Sequence, residues 1–244
     1  MISSSVNAPL AGRTAVVTGA TRGIGRAIAE RLRDEGARVV ATARAATGEA
    51  PEGCEYRGAD LSDDASTQAF AAWLGELRPD ILVNNAGINK LAPIAELDGA
   101  TMDTLHRVNV LAPMLLSRAV LPGMRARRWG RIVNVASIWS LRSLPGRAAY
   151  SASKFGLDGL SAAIAAEVAA DNVLVNCVSP GFVDTELLHR MLGEQGIADL
   201  VATVPMRRLA RPGESAAFVA WLASPENTFI SGQNLPIDGG YTRT

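Results

Sequence analysis

The chain is predicted to fold as an α/β protein, a doubly wound parallel sheet of about seven strands in a single domain, and three observations carry that expectation. From residue 13 onward, short β-branched runs alternate with longer amphipathic stretches, the pattern that covers a parallel sheet with helices on both faces. A glycine-rich segment stands where the first run meets the first amphipathic stretch. With 244 residues, 48% hydrophobic and 20% charged, the chain can build one large core, and no Pro/Gly/Ser linker divides it.

The strands read TAVVT (14–18), RVVATA (38–43), EYRGA (55–59), ILVNN (81–85), RIVNVA (131–136), VLVNCV (173–178) and NLPI (234–237). Helical stretches fill the gaps over residues 24–35, 62–77, 101–127, 150–170 and 213–223. Residues 184–200 read as a further helical insert, placed to serve as a substrate lid. The first ten residues lack either period and are expected to form a flexible segment, leaving 11–244 as one domain.

Composition narrows the partners. Lys plus Arg equals Asp plus Glu at 24 each, so no field of one sign draws the chain to nucleic acid or to an acidic membrane; a small molecule is the expected partner. Cys54 and Cys177 lie in separate segments without metal-ligand or disulfide-framework spacing. His106 and His189, the only histidines, fall in no metal or triad spacing, so no metal site is expected. The start lacks a basic, then apolar, leader pattern, and no window holds about 18 uncharged apolar residues. A soluble, cytoplasmic protein is the expectation.

The segment TGATRGIG (18–25) follows the first strand and opens the first helix. There Gly19, Gly23 and Gly25, with Thr21, Arg22 and Ile24 between them, let backbone N–H groups meet a pyrophosphate. The acid that would grip an adenine ribose hydroxyl belongs about 20 residues on, yet the second strand ends Ala43-Arg44-Ala45. Arg22 and Arg44 could meet a 2′-phosphate instead, which favours NADP(H) and leaves NAD(H) open. Two solvated surface charges would read the same way.

Tyr150 and Lys154 are four residues apart on a predicted helix and share a face. A cation about 4 Å from a phenol favours the phenolate by roughly 4 kcal/mol at an effective dielectric of about 20. Burial opposes that effect; the expected net result is a phenol drawn down toward the range of a general acid/base. Ser137 ends the strand RIVNVA, and the carboxyl end of a strand is where an open sheet presents its ligand site.

TGATRGIG, NNAG (84–87), YSASK (150–154) and SPGF (179–182) stand in this order, each beside a strand or helix end. On those motifs the chain resembles the short-chain dehydrogenase/reductase family over nearly its whole length, and within it the branch of 3-oxoacyl-carrier-protein reductases. The resemblance implies a Rossmann-type fold and hydride transfer between a nicotinamide cofactor, NADP(H) on the arginine reading above, and a carbonyl or secondary-alcohol substrate. It implies Tyr150 as proton donor, Lys154 as its tuner, Ser137 as the group that polarises the carbonyl, and Asn109 as a backbone carbonyl that holds a relay water. It further implies that Asp60 and Leu61 flank the adenine and that the NNAG residues Asn85, Ala86 and Gly87 border the cofactor and steady the central strands. Pro180, Gly181, Val183 and Thr185 would lie at the nicotinamide end, the last two on its carboxamide. Relatives of this kind are commonly homotetramers or homodimers. An NAD-linked sugar or cyclitol dehydrogenase, a 3-oxoacyl-carrier-protein reductase and a non-catalytic dinucleotide-sensing scaffold are the other readings.

Substrate choice should reside in residues 138–149 and 182–196, both largely apolar. Trp139 could wall the pocket or pack in the core. Leu187, Leu188 and Met191 could line a lid or form a core stripe, and GEQG (193–196) offers a glycine hinge. Arg125, Arg127, Arg128 and Arg131 form a basic run that could meet an acidic carrier protein or simply be solvated. Asp171-Asn172 stands where the resembling reductases usually carry a basic residue, against the carrier reading.

Overall fold

Strands β1 (Thr14–Val17), β2 (Arg38–Ala43), β3 (Glu55–Gly58), β4 (Ile81–Asn84), β5 (Gly130–Val135), β6 (Val173–Pro180) and β7 (Asn234–Ile237) form one sheet. This is the arrangement in the computed structural model, which describes residues 8–244, the Leu187 side chain excepted. The strand order is β3-β2-β1-β4-β5-β6-β7 and every neighbouring pair is parallel. Chain direction across the sheet reverses between β1 and β4, and a crevice opens there beyond the carboxyl ends of the strands.

Period-2 alternation divides the core. Ala15 and Val17 of β1 face one side with Ile28 and Leu32 of α1 (Gly23–Asp34) and Val219 of α7 (Pro212–Ala223). Val16 faces the other side with Phe70 of α2 (Asp64–Leu77), Leu116 of α4 (Ala112–Ala126) and Ile164 of α5 (Ala148–Val168). Strands β4, β5 and β6 are buried along their whole length, as a parallel sheet covered on both faces requires.

Two expectations, the unbroken helix over 101–127 and the loose start to residue 10, are corrected. The helix expected over 101–127 is broken into α3 (Gly99–His106), a wide π-helical turn over Arg107–Leu111, and α4. Pro113 supplies a reason: it has no N–H to give the carbonyl four residues back, that of Asn109, while the Ala112 N–H reaches back to Arg107. The insert forms α6 (Glu186–Thr203), but Gly193 at φ 64° and ψ −179° bends it. The proposed flexible start does not extend to residue 10. Leu10 is fully buried and its N–H donates to the Glu35 carbonyl at 2.9 Å, while residues 1–7 lie outside the described residues.

Candidate active site

The glycine turn is shaped by its neighbours. A Cβ on Gly19 would stand 2.9 Å from the Ala86 Cα, and one on Gly25 would collide with the Asn85 amide and the Gly19 carbonyl. Asn85 occupies that space because its Nδ2 donates to the carbonyls of Thr18 (2.9 Å) and Gly19 (3.1 Å). The N–H groups of Asn85 and Ala86 both donate to Thr18 Oγ1 at 3.0 Å. Asn85 and Ala86 therefore latch the turn onto the end of β4 and act on the crevice through it.

Gly23 is placed differently. At φ 56° it meets only the Thr185 methyl, 3.7 Å from where a Cβ would stand, so the glycine turn and the segment after β6 face each other across the crevice. Arg22 caps α1 without a side-chain bond and no acid stands in the first turn, leaving an uncapped helix amino end suited to an anion. These features fit a dinucleotide pyrophosphate. Arg22 and Arg44 are exposed on the rim. Asp60 lies close enough to Arg44 to feel its charge, but its carboxylate mainly accepts from the Ser62 hydroxyl and N–H (2.6 and 2.9 Å), which hold it below the usual carboxylate range. Leu61 is buried in the core below.

Across the crevice, β6 ends at Pro180. Gly181 is fixed by β7: its N–H donates to the Ile237 carbonyl at 2.9 Å, and a Cβ would stand 2.9 Å from Asp238 Cα. Val183 is buried and bridges to Ala210. Thr185 caps α6 by accepting from the Leu188 N–H.

The three chemical side chains converge at the end of β5. Ser137 follows that strand in extended conformation, and its Oγ accepts from the Trp139 N–H at 3.2 Å. Contact with the Ser137 hydroxyl favours the Tyr150 phenolate. Lys154 is buried beneath the phenol, with Nζ 5.8 Å from the ring centroid and donating to the Val135 carbonyl at 2.8 Å. Burial lowers its pKa to about 8. The expected downward shift of Tyr150 is corrected: burial outweighs the Ser137 contact and the charge of Arg147, and pushes the phenol up. Lys154 is directed at a carbonyl and desolvated itself, so its charge does not overcome that burial.

Asn109 is buried and locks this corner from both sides. Its Oδ1 accepts from the Ile88 N–H and its Nδ2 donates to the Ile88 carbonyl, both at 2.9 Å, and to Ser153 Oγ at 3.0 Å. Gly87 borders the pocket floor: Asn109 Oδ1 and Lys154 Nζ each lie 3.4 Å from the position of a Cβ on it. Asn84, at the end of β4, donates to Asn134 Oδ1 at 2.8 Å, and Asn134 to Ser161 Oγ at 2.7 Å, so buried amides tie the central strands.

Sequence reasoning missed Arg147, whose charge reaches the phenol. Its spacing of three residues before Tyr150 in GRAAY was the available signal. Trp139, expected either to wall the pocket or to pack in the core, is packed: only 4% exposed, it meets Phe182 and Tyr241 edge-on with centroids 6.4 and 6.2 Å away. As a direct substrate contact it is corrected. Leu188 is half-buried, and Met191 at 52% exposure is no core residue; the Leu187 side chain lies outside the described residues. His189 is peripheral, its Nε2 2.6 Å from Asp184 Oδ1.

The basic run is not one patch. Arg131 is 2% exposed and donates to the carbonyls of Gly130, Asn172, Ser224 and Asn227. Arg127 pairs with Asp80, while Arg125 and Arg128 pair with Asp171 at 2.6 and 3.5 Å. All four stand at or before the start of β5, the edge of the sheet away from Ser137 of the same chain.

A parallel sheet of this order, with polar groups gathered at its switch point, defines the class of dinucleotide-binding oxidoreductases. Comparison with known proteins makes the assignment specific. A family model described as enoyl-(acyl carrier protein) reductase matches residues 19–242. The 3-oxoacyl-[acyl-carrier-protein] reductase FabG of Vibrio cholerae is 40% identical over 242 residues, covering 95% of this chain and 98% of its own. A solved structure assigned as an NAD(P)-dependent gluconate 5-dehydrogenase of Beutenbergia cavernae, with NADP bound at low occupancy, superposes with a TM-score of 0.91 at 37% identity, covering 98% of this chain and 100% of that one. A structure assigned as a β-ketoacyl-ACP reductase gives 0.86 at 40% identity, covering 96% and 99%. The chain belongs to the short-chain dehydrogenase/reductase family of oxidoreductases.

Proposed function

We propose that this protein is an NADP(H)-linked reductase of carbonyl compounds, working in reverse on the matching secondary alcohols, with Tyr150 as proton donor. The observation that carries the reading is the convergence of Ser137, Tyr150 and Lys154 at one strand end, beside a crevice that opens on an uncapped helix amino terminus.

The turn residues Gly19, Thr21, Arg22, Gly23, Ile24 and Gly25 would hold the pyrophosphate, Asp60 and Leu61 the adenine, and Pro180, Gly181, Val183 and Thr185 the nicotinamide. Arg22 and Arg44, with no carboxylate at the end of β2, favour the 2′-phosphate of NADP(H). When bound, that cofactor supplies the hydride that the carbonyl carbon accepts. Ser137 donates a hydrogen bond to the carbonyl oxygen, and Tyr150 gives that oxygen its proton. Lys154, charged at neutral pH with a pKa of about 8, favours the phenolate left behind. Pro113 leaves the Asn109 carbonyl without the usual helical donor, so it can hold a water that carries a proton back to Lys154.

The FabG relatives favour a 3-oxoacyl thioester as substrate, whereas the gluconate 5-dehydrogenase neighbour favours a sugar acid. The scattered arginines of the basic run weaken the carrier-protein reading. We also read residues 11–244 as one catalytic domain with α6 as its lid, in a cytoplasmic homotetramer or homodimer. Met114 of α4 and Phe155 of α5 keep exposed apolar surface for a second copy.

The test is a panel of ketones, oxo acids and 3-oxoacyl thioesters assayed with NADPH and with NADH. Tyr150→Phe should lower turnover by roughly a hundredfold to ten-thousandfold, the span of a lost general acid, with NADPH affinity nearly unchanged. Substantial residual turnover in that variant would count against the mechanism, and a strong preference for NADH against the arginine argument.

A further inference from the structure

Arg147 stands at the amino end of α5, three residues before Tyr150. Its guanidinium carbon lies 4.4 Å from the centre of the Trp139 ring, so the side chain is laid against an aromatic face with its N–H edge free. Trp139 is the residue whose N–H positions the Ser137 hydroxyl at 3.2 Å. The segment beneath is stiff: Ser140, Ser179 and Asn234 form a closed set of hydrogen bonds of 2.6 to 2.9 Å. Arg147 is thus held on the Trp139 ring, close enough to Tyr150 for its charge to reach the phenol.

Among the described residues no carboxylate pairs with Arg147 and no acceptor receives its guanidinium N–H groups, while its backbone N–H donates to the Leu144 carbonyl at 3.2 Å. Other charged groups on the segments that follow β5, β6 and β7 are engaged elsewhere. Arg142 donates to the carbonyls of Tyr241 and Thr244, and Arg208 pairs with Glu214 at 2.7 Å. Asp184 is bound to His189, and Asp238 accepts from the N–H groups of Gly240 and Thr242. A half-buried guanidinium with no counter-charge bears a desolvation cost that an incoming anion would relieve, and burial already lowers its pKa. Its planar fork matches a carboxylate in two parallel hydrogen bonds.

We propose that Arg147 determines substrate choice by binding the carboxylate of an oxo or hydroxy acid whose reacting carbon lies against Ser137 and Tyr150. This rests on the active site proposed above and names its substrate class.

An oxo acid and its methyl ester separate the carboxylate from all other features of the substrate. Equilibrium binding of each, by calorimetry on the NADP-loaded protein, tests the arginine; turnover of each tests the reaction. Unmodified protein should bind the acid at least about tenfold more tightly than the ester, the scale of a charge-assisted hydrogen bond. Arg147→Met should bring that ratio close to one, and Arg147→Lys should keep part of it. Unchanged melting temperatures and NADPH affinity in both variants establish that they fold. Because the ratio cancels any effect of the charge on Tyr150, equal losses on acid and ester would overturn the proposal, as would a ratio near one in the unmodified protein. Selective acid binding without turnover of any carbonyl would uphold the arginine and overturn the proposed reaction.

Discussion

Two ends of the same crevice are built by opposite means. At the glycine turn, backbone and amide groups fill each other's space: Asn85 donates to two carbonyls of the turn, Thr18 accepts from two N–H groups of the strand end, and Gly19 and Gly25 have no room for a side chain. At the end proposed for substrate, α6 keeps Met191 and Leu192 exposed, bends at Gly193, and ties His189 only to a surface aspartate. The first end is determined by the chain itself and suits a ligand that is the same in every cycle. The second is left under-packed and can adapt to what it covers.

The largest effect that would break this contrast is expected at Gly25. An alanine there places a methyl against the Asn85 amide and the Gly19 carbonyl, so the turn itself must shift. Overpacking of this kind costs about 1–3 kcal/mol of stability, and the displaced N–H groups should also lose most of the NADPH affinity. Melting curves with and without NADPH check both. A Gly25→Ala protein that keeps full cofactor-induced stabilisation would show that the turn is not the rigid half.

The same contrast explains what could be read from sequence. The central strands were legible because a sheet covered on both faces demands continuous β-branched runs, whereas the part-exposed edge strands β3 (EYRG) and β7 (NLPI) carry none and were read from their place between helical stretches; the glycine turn was legible because backbone approach leaves only glycine. The break at Arg107–Leu111 was not, because helical periodicity continues through it; Pro113 was its one visible sign. The spacing of Tyr150 and Lys154 was plain, but the sign of the phenol's shift depended on burial, which spacing does not report. Trp139 was ambiguous, and Arg147 passed unread, for a related reason. Whether an aromatic walls a pocket or floors it depends on Phe182 and Tyr241, more than forty residues away in the chain.

A smaller effect sharpens the description of the stiff side. Burial lowers Lys154 to about 8, so it is charged at pH 7 and loses its proton as pH rises through that value. Tyr150, pushed up, stays protonated over the same range. Reduction should therefore fall above about pH 8, approaching tenfold per pH unit, because the cation that favours the departing phenolate is lost while the phenol remains intact. A rate profile flat to pH 10 would place the ammonium outside the reaction. For stability the sign is opposite. A lowered lysine pKa means that folding favours the neutral form, so its ionisation costs stability below about 8, and that cost is relieved as pH rises from there toward 10.5.

The smallest expected change concerns the loose side. Met191 is 52% exposed on α6, two residues before the bend at Gly193, and packs in neither core half. Met191→Ser should alter stability by less than about 0.5 kcal/mol, as surface replacements do. If α6 closes over substrate, the same change removes apolar contact from the closed form alone and should raise KM several-fold with NADPH affinity unchanged. Leu116→Ala, in the covered core, should behave inversely, costing about 2–5 kcal/mol of stability with little selectivity between KM values. Should Met191→Ser leave KM where it was, α6 would be an exposed appendage, and the adaptable half of the crevice would have to be sought in residues 141–149, which are exposed or half-buried.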